Sequence, residues 1–305
     1  AIRRADSCGG GDGTVSDPMP WIEVLREAFR LGILTSALAA GLAVAVSCAL
    51  LGPLVVLRRE SMIGDGLAHV SLFSVALALI LGASPLLVSI PLVVAASLLI
   101  QRLDERAGVR SDAAIGLVAA SSVAAAVVLA SLGGGFQVDL TSYLFGNILM
   151  ISRTDVFLSA GLSILVTAVI LALRRPLLAA THDPDFAQVL GLSPRRLRAI
   201  LSVLTAVTVV LGIRVAGTML VSSLIVFPAL SALQMRRGFT GTLGLSVLVS
   251  VACLLSGLVL SVALNLPTGA TIVLLNGGVF ILVLGGRALS DRLAQRREQE
   301  GADAP

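Results

Sequence analysis

Residues 31–57 decide the fold class: they read LGILTSALAAGLAVAVSCALLGPLVVL, and no charged side chain interrupts them. A helix of this length rises about 40 Å, and roughly 20 apolar residues already cross the hydrocarbon core of a bilayer. Arg58 and Arg59 follow directly, and arginines at the end of an apolar segment anchor it at the cytoplasmic face of a membrane. The stretch therefore predicts a membrane-spanning helix.

The whole 305-residue chain shares this composition. It is 56% apolar and 13% charged, with a mean hydropathy of +0.99, whereas soluble globular domains carry about 25% charged residues. So few charges cannot cover the surface of a soluble protein of this size. The composition excludes a cytosolic enzyme, a disordered chain and a nucleic-acid-binding protein, so nucleic acid is not an expected partner. It predicts an all-α, polytopic transmembrane helical bundle that contacts membrane lipid.

Apolar segments of spanning length recur along the chain. Two of them have double length and are divided by helix-breaking residues, one at Gly82–Pro85 and the other at Asn265–Pro267. Counted this way, the segments number about nine: 31–57, two within 66–100, 113–132, 156–173, 199–213, 215–233, and two within 239–286. We expect eight spans if a short segment is re-entrant. The membrane domain is predicted at 20–290, preceded by a disordered, upstream or non-native extension (1–19) and followed by a cytoplasmic tail (291–305).

The basic residues predict the orientation. All 22 are Arg and none is Lys, and most lie in alternate loops, which the positive-inside rule places in the cytoplasm. With nine spans the N-terminus lies outside and the C-terminus inside. The absence of Lys also excludes a P-loop ATPase, whose motif requires one. H-E-x-x-H and G-x-S-x-G motifs are absent as well, so we do not expect an enzyme.

Asp65 and His69 are the ionisable pair most suggestive of chemistry. They are four residues apart at the start of the second predicted span, so a helix places them on one face. A carboxylate and an imidazole are half of a site for zinc, manganese or iron. The alternative is structural: Asp65 is a helix N-cap and His69 a hydrogen-bonded interior histidine.

The longest polar stretch within the bundle, 174–198, contains a predicted short amphipathic helix. Asp183 is its cap, Pro184 its first residue and Gly191 its end. Such a cytoplasmic helix is either a docking element for a soluble partner or an ordinary structured loop. The residues of this candidate docking segment are Asp183, Pro184, Asp185, Phe186, Ala187, Gln188, Val189, Leu190 and Gly191.

A family resemblance follows from the motifs. Residues 58–72 match the pattern R-R-x-x-x-x-G-D-x-L-A-H-x-S-L, and three further segments match in the same order, at 139–149, 215–229 and 266–274. Over about residues 20–287 the chain resembles the permeases of metal-ion ATP-binding-cassette importers. The resemblance implies a homodimeric permease of the bacterial cell (inner) membrane. Its implied partners are a cytoplasmic ATP-binding subunit, which hydrolyses ATP in place of this chain, and an extracytoplasmic metal-binding protein.

The resemblance also implies roles for residues. Asp65 and His69 match the metal-conduit pair of the family, and the segment 183–191 matches the position of its ATPase-coupling helix. No permanently bound cofactor is expected, and Zn²⁺ or Mn²⁺ is the transported substrate. Residues 64–72 and 143–146 look closer to zinc permeases, whereas Asn147 and Phe73-Ser74 depart from them and leave manganese or iron open.

Two other classes remain at this point. One is a secondary metal carrier driven by an ion gradient, and such carriers often show inverted repeats and several intramembrane acids. Neither feature is clear here. The other is a structural or enzyme-anchoring membrane subunit, which predicts that changing Asp65 has no effect on transport.

Overall fold

The computed structural model describes residues 33–132, 153–235, 238–264 and 266–302. In this part of the chain the secondary structure is helical, with no strand. The helices are, in chain order, α1 Ile33–Leu57, α2 Ile63–Leu81, α3 Pro85–Ala107, α4 Ser111–Leu132, α5 Arg153–His182, α6 Pro184–Val189, α7 Pro194–Ala216, α8 Thr218–Gln234, α9 Phe239–Leu264 and α10 Thr268–Ala302.

Within the described ranges, eight helices are long and apolar enough to cross a membrane, and α8 is a shorter apolar helix of 17 residues. The predicted all-α transmembrane bundle of eight or nine spans is therefore confirmed. The predicted breaks are also found, because α2 ends at Gly82 in the left-handed conformation (φ 62°) and Pro85 begins α3. Glycine adopts that conformation without a steric penalty.

Helices α1 and α7 form the centre of the bundle. Most residues of their spanning segments are buried, whereas few residues of the spanning segment of α10 are buried. Small residues allow the central helices to approach one another: a Cβ atom on Gly52 of α1 would lie 2.2 Å from the carbonyl oxygen of Ile225 in α8. Such close backbone contact is the usual packing mode of membrane helices.

Ion pairs join the helix ends that the arginine pattern assigns to the same membrane side. At the predicted cytoplasmic end, Arg198 of α7 lies 3.1 Å from Asp104 of α3. At the predicted outer end, Arg214 of α7 lies 3.2 Å from Asp155 of α5. The second contact gives Arg214 an ion-pair partner in α5.

Some boundaries differ from the prediction. Helix α5 was expected to cover 156–173 but continues past Arg174, Arg175 and Pro176 to His182. The extension has an apolar face, since Leu177 and Ala180 are buried against the cluster that includes Ala187 of α6. Helix α10 continues through residue 290 to Ala302, so the predicted cytoplasmic tail 291–305 begins as part of this helix. The predicted extension 1–19 and the motif segment 139–149 lie outside the described residues.

Candidate functional site

Asp65 and His69, which the spacing predicted to share a helix face, both lie on the wall of one cavity. Its volume is about 400 Å³, and α2, α4 and the start of α8 form its walls. Asp65 is partly buried and His69 is exposed. The lining residues are Met62, Asp65, Gly66, Ala68, His69, Leu72, Asp112, Ile115, Gly116, Ala119, Thr218 and Met219. The cavity is thus largely apolar, with a carboxylate and an imidazole from one helix.

The hydroxyl of Ser222 in α8 donates a hydrogen bond of 2.6 Å to Oδ1 of Asp65. The N-cap of α2 is Met62, and Asp65 is the third residue of the helix, so the structural alternative that made Asp65 the N-cap is wrong. The bond leaves Oδ2 free of a hydrogen-bond partner among the described residues and fixes the orientation of the carboxylate. Ser222 belongs to the motif segment 215–229, but nothing in the sequence paired it with Asp65, which lies 157 positions away.

This contact also locates the site within the bundle. The arginine pattern places the start of α2 at the cytoplasmic side and the start of α8, after Arg214, at the outer side. If both helices began at their membrane faces, their first turns would be separated by about 30 Å of hydrocarbon. With that orientation, the bond between Ser222 and Asp65 requires that at least one of the two helices begins inside the bundle. Helix α8, at 17 residues, is also shorter than a full crossing.

Asp112 is a third ionisable residue on the cavity wall that sequence analysis missed. It lies in the first turn of α4, where an acidic residue usually means only a favourable helix dipole. An acidic residue at that position does not by itself indicate a functional site. Only the packing of α4 against α2 brings Asp112 to the cavity. Among the described residues, however, no group of three or more His, Cys, Asp or Glu side chains is arranged to hold a metal ion. One chain therefore presents the Asp65–His69 pair rather than a complete site.

The candidate docking segment forms the predicted helix. Oδ1 of Asp183 accepts a hydrogen bond of 2.9 Å from the amide of Phe186, Pro184 is the first helical residue, and Gly191 has a φ of 77°. Ala187 is fully buried against α5 and α7. On the other side of the helix three apolar side chains are exposed: Phe186 by 55%, Val189 by 84% and Leu190 by 56%.

A network of charges connects α7, which follows that segment, with the loop between α1 and α2. Arg198 lies 3.1 Å from Asp104 and 3.6 Å from Glu105. Nη1 of Arg58 is buried without a hydrogen-bond partner in the described part of the chain. Burial lowers the pKa of the Arg58 guanidinium, and the nearby Glu60 opposes this shift. Burial likewise raises the pKa of the Glu60 carboxyl, against the effect of Arg58.

The sequence profile described as ABC 3 transport family matches residues 30–286, which is most of the chain. The chain belongs to this family. Among curated relatives, the high-affinity zinc uptake system membrane protein ZnuB of Haemophilus influenzae is 31% identical, covering 83% of this chain and 97% of that protein. The manganese transport system membrane protein MntC of Halalkalibacterium halodurans is 30% identical, covering 82% and 85% respectively.

A solved structure has the same fold as this chain. PsaBC from Streptococcus pneumoniae, in complex with Fab, superposes with a TM-score of 0.75 at 26% identity, over 86% of this chain and 94% of that one. Membership of the ABC 3 family makes this chain a permease subunit of an ATP-binding-cassette metal importer in the bacterial inner membrane, and the family implies an ATPase partner and a substrate-binding protein. The hypothesis of a secondary carrier driven by an ion gradient is therefore not retained. The relatives are permease subunits, which are not catalytic themselves.

Proposed function

We propose that this permease carries zinc into the cytoplasm by alternating access, with Asp65 and His69 as the transient metal site. The observation that carries the proposal is the cavity itself, in which a carboxylate and an imidazole face one space inside the bundle. An ionisable residue within a membrane is costly, so such a pair is expected to serve function. The hydrogen bond from Ser222 orients the carboxylate in the way that outer-shell partners orient metal ligands.

The site becomes complete when two copies of the permease meet. Structural zinc sites have four protein ligands, and one copy supplies two. The exposed His69 and the open cavity support a homodimer whose copies face each other there, each contributing Asp65 and His69. Sharing ligands between two moving subunits suits a conduit, because separating them releases the ion.

Zinc is the proposed ion because both side chains suit it and because the 64–72 motif resembles zinc permeases. The same ligands also bind manganese or iron, and a relative of nearly equal identity is named for manganese. Manganese is therefore the second candidate, with the same architecture and mechanism. In either case an extracytoplasmic metal-binding protein delivers the ion to the outer side.

Coupling to ATP hydrolysis is proposed to run through the segment Asp183–Gly191. Its exposed Phe186, Val189 and Leu190 form an apolar surface next to the predicted cytoplasmic side, which suits docking of a soluble ATP-binding subunit. Movement of the segment would displace α7, and the contacts of Arg198 with Asp104 and Glu105 would transmit it to α3. Arg58 and Glu60, which interact electrostatically with this network, precede α2 and its metal ligands.

The test is metal accumulation in cells that lack their own importers. The permease is co-expressed with its neighbouring ATPase and binding protein, and uptake of radioactive zinc and manganese is compared between wild type and Asp65→Asn. Asp112→Asn is the matched comparison, since it removes one carboxylate from the same cavity but not from the proposed pair.

We expect ATP-dependent zinc uptake that is lost in Asp65→Asn and largely kept in Asp112→Asn. Manganese uptake that depends on the same residues would identify manganese as the transported ion and would leave the proposed mechanism unchanged. Uptake that survives Asp65→Asn in a normally expressed complex would contradict the assignment of the site.

A further inference from the structure

A second concave surface lies on the other side of α4, between α3 and α4. It has a volume of about 620 Å³ and is almost entirely apolar. Val70 of α2 and Val118 of α4 are buried in its floor, while Leu99 and Leu117 on its walls are 48% and 57% exposed. It shares no lining residue with the cavity of Asp65 and His69, so metal transport does not account for it.

The length of the groove matches one leaflet of a bilayer. On α3 it extends from Leu92 to Leu103, and eleven residues of helix rise about 16 Å. Half of the ~30 Å hydrocarbon core is about 15 Å. Since α3 ends at the cytoplasmic side, the groove lies at the depth of the inner leaflet.

Polar groups inside the groove are already satisfied. Ser121 and Ser122 donate hydrogen bonds of 2.8 and 2.7 Å to carbonyl oxygens of their own helix, those of Leu117 and Val118. The groove therefore presents an apolar surface on which Ser121 and Ser122 need no hydrogen-bond partner from a ligand. Such a surface suits an acyl chain.

Three arginines surround the cytoplasmic end of the groove. Arg102 and Arg106 follow the groove residues Leu99 and Leu103 by three positions each, which places them along the same side of α3, and Arg110 immediately precedes α4. All three are exposed, and none forms an ion pair with a residue in the described ranges. The neighbouring Asp104 and Glu105 are directed instead to α7.

We propose that this groove binds one anionic phospholipid of the inner leaflet, with an acyl chain between α3 and α4 and the phosphate headgroup at Arg102, Arg106 and Arg110. Unpaired cationic side chains at the headgroup level complement anionic lipid, and guanidinium groups suit phosphate oxygens. The proposal is independent of the identity of the transported ion.

The test is native mass spectrometry of the purified full-length protein with equal amounts of phosphatidylglycerol and phosphatidylcholine of the same acyl chains. We compare wild type with Arg102→Gln/Arg106→Gln, with Ala95→Trp, which fills the groove from its exposed wall, and with Arg174→Gln/Arg175→Gln. The last variant removes two exposed cytoplasmic arginines of α5, away from the groove, and is the charge-matched control. Thermal unfolding confirms that each variant is folded.

We expect wild type to retain phosphatidylglycerol preferentially and Arg102→Gln/Arg106→Gln to lower that preference by about five-fold per arginine. Ala95→Trp should abolish retention of the lipid, and the control should match wild type. Equal retention of both lipids by wild type, or an equal loss in the control, would overturn the proposal in favour of general attraction by cytoplasmic charge. A change of oligomeric state in Ala95→Trp would also overturn it, since a second copy would then occupy the groove.

Discussion

Asp65 has two separable features, its charge and the hydrogen bond it accepts from Ser222. Asp65→Asn keeps the size of the side chain and removes the ligand charge, while Ser222→Ala removes only the orienting bond. We expect a graded result in zinc uptake: near-complete loss in Asp65→Asn, and a decrease of about 10-fold in Ser222→Ala, the lower end of the effect of losing an outer-shell partner. Initial uptake rates at matched surface expression measure both. Wild-type uptake in Ser222→Ala would show that the bond has no role in the site.

Gly52 provides a residue-level test of the close contact between α1 and α8. In Gly52→Ala the new Cβ would overlap the carbonyl oxygen of Ile225, at 2.2 Å, and overpacking of this kind costs about 1–3 kcal/mol. We expect a lower unfolding temperature in detergent. Gly161→Ala is the matched control, because no atom lies within 4 Å of the corresponding position in α5, and Ala stabilises a helix relative to Gly by up to about 1 kcal/mol.

At the level of elements, the short helix α6 combines a buried anchor with an exposed apolar face. Ala187 holds the helix against α5 and α7, so replacing Phe186 and Val189 by Ser changes the docking surface without disturbing the anchor. We expect association with the ATP-binding subunit to weaken about 10-fold or more, since a few central residues carry most of the binding energy of an interface. Co-purification with the ATPase measures the effect.

The control for this variant is Met235→Ser, which changes an exposed apolar residue at the cytoplasmic end of α8. It should co-purify normally. An unchanged complex for Phe186→Ser/Val189→Ser would reject the assignment of the segment as the coupling element.

At the level of the whole molecule, the contact between Arg198 and Asp104 connects α7, which follows the candidate docking segment, with α3. Both side chains are about one quarter exposed, and ion pairs of this kind contribute only about 1 kcal/mol or less to stability. Arg198→Gln should therefore leave assembly and folding nearly unchanged. If the contact transmits movement, metal uptake per ATP hydrolysed should fall several-fold.

Exchanging the two charges tests whether the contact between Arg198 and Asp104 transmits the movement or whether coupling falls only because Arg198 is lost. The double variant Asp104→Arg/Arg198→Asp restores an opposite pair, and recovery of coupling above either single variant would show an interaction between the two sites. Coupling that remains at the wild-type ratio in Arg198→Gln would exclude this route.

Much of the fold followed from the sequence because the relevant signals are local. Spans are recognised by length and apolar composition, as in 31–57, whereas their direction stays a prediction from the arginines. The cap of α6 is equally local, since Asp183 and the amide of Phe186 are three residues apart. The prediction for α5 failed at its cytoplasmic end because burial of Leu177 and Ala180, which depends on tertiary contacts, continues the helix past two arginines and a proline.

The sequence by itself determined that this chain is a helical membrane bundle and that Asp65 and His69 share a helix face, because each of these depends on composition or on spacing within one helix. Only the tertiary structure decided that Ser222 orients Asp65, that Asp112 faces the same cavity, and that the N-terminal parts of α2 and α8 meet. These relations join residues far apart in the chain, and they arise from the packing of helices whose contacts no local pattern encodes.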